Sequence, residues 1–123
     1  MSKEIIAILI FDFLITGIIL LLHFFPAKEI NYFYGYRTKR SMKNIENWQF
    51  AQKHFSNQWI FVPFMVMVTQ ALLIFVGEID LKKEPPIVPI VSMVEFFLGS
   101  YFCALTTERE LQKREDNTKK QDN

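Results

Sequence analysis

A single cysteine, Cys103, leaves the chain without any possible internal disulfide. It lies inside an apolar block, where it is expected to be a small buried or lipid-facing residue. An excess of one charge is also missing. The 14 basic residues are matched by 13 acidic ones, so nothing suggests a nucleic-acid partner. The two histidines, His23 and His54, stand far apart with no ligand spacing around them, and no metal site or cofactor is expected. Phosphate loops, nucleotide fingerprints and nucleophile–base pairs are absent from the sequence, so the chain is not expected to be an enzyme.

What the chain does have is long hydrophobic runs. Half of it is apolar (50%), gathered into three blocks, with nearly all the charge between or after them. A soluble domain would interleave its charges with its core positions. The first block covers about residues 4–25 (EIIAILIFDFLITGIILLLHFF), the second about 57–77 (NQWIFVPFMVMVTQALLIFVG) and the third about 86–106 (PIVPIVSMVEFFLGSYFCALT). Each is long enough to cross a hydrocarbon core of ~30 Å at ~1.5 Å per residue. The first also exceeds the ~7–15 apolar residues of a signal peptide, so a retained helix is expected. β-branched and aromatic residues are common in all three. However, no period-two alternation is visible, and three blocks cannot supply the roughly eight strands that a membrane barrel needs. The expected fold is an all-α membrane protein with three transmembrane helices. Residues 1–115 form one domain, and the polar tail 116–123 is expected to be disordered. Trp59 suits an interfacial anchor. Pro85, Pro86 and Pro89 suit a helix start.

Charge sets the orientation. Loop 26–56 carries Lys28, Arg37, Lys39, Arg40, Lys43 and Lys53, and the tail carries Arg109, Lys113, Arg114, Lys119 and Lys120. Only Lys3, Lys82 and Lys83 lie on the other side. Eleven basic residues against three place the loop and tail in the cytoplasm and the N-terminus outside. The loop opens on Tyr32-Phe33-Tyr34-Gly35-Tyr36, an aromatic stretch suited to the headgroup level. Ser41 then resembles an N-cap. Met42, Ile45, Trp48, Ala51 or Gln52, and Phe55 recur every three to four residues, which predicts an amphipathic helix over 41–55, lying on the inner membrane surface or serving as a docking surface or a cap over the inner end of the bundle. Arg37 is placed to meet a lipid phosphate or a helix C-terminus, and Asn31 and Asn44 to cap local turns. Past the third span, Glu108–Gln112 and Glu110–Arg114 are expected i,i+4 pairs.

Polar residues within the spans give the sharpest signal. An ionisable group there costs about 2.5–3.5 kcal/mol on insertion scales and usually faces protein rather than lipid. Asp12, Gln70 and Glu95 all fall at one depth, roughly 10–14 Å below the outer surface at the helical rise. Thr16 lies one turn from Asp12, and Ser92, Glu95 and Gly99 share a helix face. Two carboxylates at one depth repel when both ionise. One is therefore expected to keep its proton, with Gln70 bridging the pair. This cluster suits helix-to-helix hydrogen bonding, a proton or cation site, or a receptor site for a ligand from the outer leaflet.

Loop 26–56 also carries a specific string. Pro26, Asn31, Gly35-Tyr36-Arg37-Thr38, Ser41-Met42-Lys43-Asn44, Trp48 and Ala51, between two spans, resemble the signature of the SdpI family of bacterial membrane proteins. The resemblance implies an immunity or sensor unit in the bacterial cytoplasmic membrane. Its partners would be membrane lipids, a secreted membrane-active peptide toxin and a cytoplasmic regulator. The alternative is a small transporter, proton- or cation-coupled through Asp12 and Glu95; three helices form a poor pore alone, so it would work as a homo-oligomer.

Overall fold

The computed structural model describes residues 2–84 and 86–123 and is helical throughout its regular elements. Helix α1 runs Lys3–Phe24. The Ser2 side chain caps it, accepting from the Ile5 N–H at 3.3 Å, while Glu4 in the first turn and His23 in the last complement the helix dipole. Pro26 follows and prevents continuation.

Helix α2 runs Ile45–Trp59 and α3 runs Phe61–Ala71, separated only by Ile60, itself in a right-handed helical conformation. The interruption has a local cause. Pro63 has no N–H to offer the Trp59 carbonyl, and its ring crowds that oxygen. A π-helical turn, Leu72–Val76, ends this arm, and Gly77 N–H closes it on the Leu72 carbonyl at 3.0 Å. A tight connection around Asp80 leads to α4, Ile87–Asp122, whose first turn holds Pro89 where a missing N–H costs least. Pro85 lies outside the described residues.

Three segments are long and apolar enough to cross a bilayer: Lys3–Phe24, Ile45–Val76 and Ile87–Asp122. The second and third have 32 and 36 residues, more than the ~20 a bilayer requires, so both extend beyond it. The overhangs lie at the end where residues 25–44 connect α1 to α2, here termed the loop end. There α2 packs on the polar half of α4, while α3 packs on its apolar half, and α1 touches both α2 and α3.

Three expectations need correction. The loop 26–56 is not an open connection carrying a separate surface helix, because helix begins at Ile45 and leads into the second span. Its apolar stripe is satisfied by α4: Trp48 and Ala51 are fully buried, as is Leu111 opposite. The N-cap is Asn44, whose Oδ1 accepts from the Asn47 N–H at 2.8 Å, and not Ser41. The tail does not lose structure at Asp116 but stays helical to Asp122. There the Thr118 hydroxyl donates to the Arg114 carbonyl, and Lys119 and Lys120 sit at the negative end of the helix dipole.

Candidate functional site, an intramembrane node and a loop latch

The polar residues of the spans meet between α1, α3 and α4. Gln70, buried to 7% exposure, donates from Nε2 to Asp12 Oδ1 at 3.2 Å and to Ser92 Oγ at 3.1 Å. Ser92 in turn donates to the Val88 carbonyl at 2.7 Å. One amide therefore ties three helices together in a setting where water offers no competing partner.

Glu95 does not join this node. Its Oε1 accepts from the Thr69 hydroxyl at 3.0 Å, and its Oε2 is buried without a partner among the described residues. The expected bridge from Gln70 to both carboxylates is thus replaced by two separate bonds. Successive helical residues diverge by about 100°, so Gln70 and Thr69 present different faces, and Ser92 occupies the place opposite Gln70. The Thr16 hydroxyl is buried with no partner among the described residues and lies outside the node. A cavity of about 140 Å³ adjoins it, lined by Asp12 and Ser92 among apolar residues that include Phe11, Val66, Met93 and Phe97. About two turns from the node, toward the loop end, α3 and α4 approach closely. A Cβ on Gly99 would stand 3.1 Å from both methyl carbons of Val62.

The loop string folds into a latch on α4. Tyr36 is the central residue. Its N–H donates to Gln52 Oε1 at 2.7 Å, and Gln52 Nε2 returns a bond to the Tyr36 carbonyl at 2.8 Å. Its hydroxyl donates to Glu108 Oε1 at 2.8 Å, and the Thr38 hydroxyl reaches the same oxygen at 2.6 Å. Burial, then the bond to Glu108 and its negative charge, push the Tyr36 phenol above its ordinary range, so it stays a donor. Gly35 has φ +106°, and a Cβ there would lie 2.7 Å from Gln52 Oε1, so both conformation and space require glycine. Ser41, fully buried, accepts from the Thr38 N–H at 2.8 Å and donates to the Tyr36 carbonyl at 3.1 Å.

The remaining string residues fasten the same turn. Asn31 Oδ1 accepts from the N–H groups of Phe33 and Tyr34, both at 2.9 Å. Trp48 Nε1 donates to the Ala27 carbonyl at 2.7 Å, tying the end of α1 to α2. Lys43 pairs with Glu115 at 3.5 Å, and Arg40 spans Glu108 and Glu115 at 3.5 and 3.4 Å. Arg37 is exposed and donates to the Tyr32 carbonyl. His23 and His54 each bond a hydroxyl, of Ser56 and Thr107, at 3.0 Å.

Sequence reasoning overlooked Gln52, Thr69, Glu108 and Glu115 as partners. The spacing of Glu108, Leu111 and Glu115 places one apolar and two acidic residues on a single α4 face, a pattern that marks a docking stripe for a basic loop. The expected pairing of Glu110 with Arg114 is not formed. Glu110 instead binds Lys113 at 2.7 Å, which holds its carboxyl below the usual range, and Arg114 covers the Phe50 ring at 4.4 Å. Glu108 faces the loop and does not pair with Gln112.

Neither a curated protein nor a solved structure matches the chain. Residues 28–103, however, match the SdpI/YfhL protein family. That segment holds nearly all of the latch loop, the whole second span and α4 as far as Cys103, and the chain is a multi-pass membrane protein that belongs to the SdpI/YfhL family.

Proposed function

We propose that this chain is an immunity or sensor unit of the bacterial cytoplasmic membrane, and that it acts by binding rather than by covalent chemistry. The ligand is a membrane-active peptide that enters from the bilayer. The observation carrying this reading is the apolar cavity with Asp12 and Ser92 in its wall, both held by the buried Gln70 amide. Apolar lining suits an amphipathic peptide side chain, and the two polar groups suit its backbone or a basic terminus. The excess of basic residues in the loop and tail supports an orientation with the latch in the cytoplasm and the N-terminus outside. The latch would then present occupancy to a cytoplasmic regulator.

The test is survival. A strain sensitive to a membrane-active peptide is expected to be rescued by expression of the chain. Rescue is expected to fail in Gln70→Leu, which removes the amide from both Asp12 and Ser92. Unchanged rescue in Gln70→Leu and Asp12→Asn, at equal expression, overturns the assignment to this cavity. A second reading, proton- or cation-coupled transport by an oligomer, is favoured by one observation only, the buried Glu95 Oε2, which has no partner among the described residues. It predicts ion flux in proteoliposomes that disappears in Glu95→Gln, whereas the immunity reading predicts no flux.

A further inference from the structure

A second cavity, of about 290 Å³, lies at the loop end, away from the intramembrane node. It is mostly apolar, lined by Leu22 at the end of α1, Phe55 and Trp59 of α2, and the loop residues Pro26, Tyr36 and Arg37. It contains one permanent cation, Arg37.

That cation is not neutralised as Arg40 and Lys43 are. Arg40 and Lys43 pair with Glu108 and Glu115. Among the described residues, Arg37 has no carboxylate at ion-pair distance. A guanidinium carries five N–H donors, and the structure shows one engaged, on the Tyr32 carbonyl. The backbone of Arg37 is fixed from both sides, since Tyr36 and Thr38 both bond Glu108. The backbone from which the guanidinium extends is therefore held in place, which lowers the cost of ordering it around an anion.

The surroundings identify the anion. Tyr32 and Phe33 are 80% and 89% exposed, and Phe24 and Phe25 at the end of α1 are 69% exposed. Large aromatic rings left uncovered at the end of a membrane span belong at the headgroup level. The cavity is at the low end of the ~300–1,000 Å³ range of small-ligand sites, room for part of a lipid and not for a whole one. A cation at headgroup depth beside a narrow apolar cavity complements an amphiphile with an anionic head.

We propose that this cavity holds an anionic phospholipid, its phosphate on the Arg37 guanidinium and the adjoining part of its glycerol and acyl chain against Leu22, Phe55 and Trp59. The site is separate from the node and stands or falls independently of the function proposed above.

The experiment is native mass spectrometry of the purified full chain in mild detergent, titrated with phosphatidylglycerol or with phosphatidylcholine. One tightly retained phosphatidylglycerol per chain is expected, with weaker retention of phosphatidylcholine. Arg37→Gln is expected to weaken phosphatidylglycerol binding by about tenfold or more, equivalent to ~1.4 kcal/mol. Arg37→Lys retains charge but loses the bidentate fork, and is expected to lose less. Lys39→Gln removes an equal charge from an exposed side chain outside the cavity and is expected to leave binding unchanged. Leu22→Trp fills the cavity without touching charge and is expected to weaken binding as well, which decides the matter if Arg37→Gln does not fold. Equal losses in Lys39→Gln and Arg37→Gln, or wild-type binding in Leu22→Trp, overturn the proposal. So does displacement of the lipid by millimolar inorganic phosphate, which would make this a soluble-anion site.

Discussion

Replacing Tyr36 by Phe removes one hydroxyl and leaves the ring on Phe55, whose centroid lies 4.7 Å away. The change removes the bond to Glu108 at 2.8 Å together with a longer contact to the Ala104 carbonyl at 3.2 Å, and the Glu108 variant separates the two. Hydrogen bonds to a charged group contribute about 1.5–3 kcal/mol, and because Glu108 is a third exposed the lower end applies, about 1.5 kcal/mol. Glu108→Ala removes more. It also deprives the Thr38 hydroxyl of its acceptor and Arg40 of one partner, the latter likewise a third exposed and contributing about 0–1 kcal/mol, for a total of roughly 2–4 kcal/mol. The double variant is expected to be less destabilised than the sum by about 1–1.5 kcal/mol. The assay is unfolding in mixed micelles by titration with sodium dodecyl sulfate, followed by tryptophan fluorescence, since Trp48 and Trp59 both lie in this end of the bundle. Additivity to within ~0.3–0.5 kcal/mol would refute the latch as a bonded unit. Alkali provides an internal check. The folded phenol sits above the ordinary value of 10.0, so its contribution is full below pH 10 and declines as pH rises beyond it, when the unfolded chain releases its proton first. Tyr36→Phe is expected to lack this decline.

Gly35→Ala should destabilise the same region by about 1–3 kcal/mol, because φ is +106° and the new Cβ would strike Gln52; unfolding in micelles equal to wild type would show that the turn has another solution. Orientation is checked with single cysteines in a Cys103→Ser background. Lys82→Cys is expected to react with a membrane-impermeant maleimide added to intact cells and Lys39→Cys only after lysis; the reverse pattern inverts the topology.

The spans were legible because a bilayer leaves little freedom: backbone without water must be helical, and twenty apolar residues in a row have few other uses. The shared depth of Asp12 and Gln70 was legible for a related reason, since depth is a count of residues along a helix. Partner choice was not. Whether Glu95 meets Gln70 or Thr69 depends on helix rotation, and adjacent residues on α3 differ by a third of a turn. The amphipathic stripe over 41–55 was visible, but its occupant was not. Apolar residues at helical spacing read alike against lipid and against another helix, and only Glu108 and Glu115 on α4 distinguish the two. Ser41 shows a third limit. A serine before a periodic stretch has the marks of an N-cap, yet its hydroxyl is taken by Thr38 and Tyr36, and Asn44, three residues on, caps instead.

The latch and the node share one element, and this constrains any coupling between them. Ser92 and Glu95 near one end, and Glu108 and Glu115 near the other, all belong to α4, one unbroken helix whose only interior glycine, Gly99, is locked against Val62. The partner arm is built differently. Gln70 and Thr69 belong to α3, Gln52 to α2, and between them Pro63 interrupts the helical ladder at Ile60. A ligand that displaced the Gln70 amide would thus act on an arm with a joint, facing a rod without one. Motion would be taken up at Ile60, and α2 would shift along α4 at the Tyr36–Glu108 contact. Changing Pro63 to Ala restores the missing N–H and should stiffen that joint. Pro63 also lines the cavity, so the comparison is made at saturating ligand; if the two ends communicate through the joint, Pro63→Ala abolishes any ligand-dependent change in hydrogen exchange at Tyr36 and Thr38. Exchange that still responds in Pro63→Ala would place the route elsewhere.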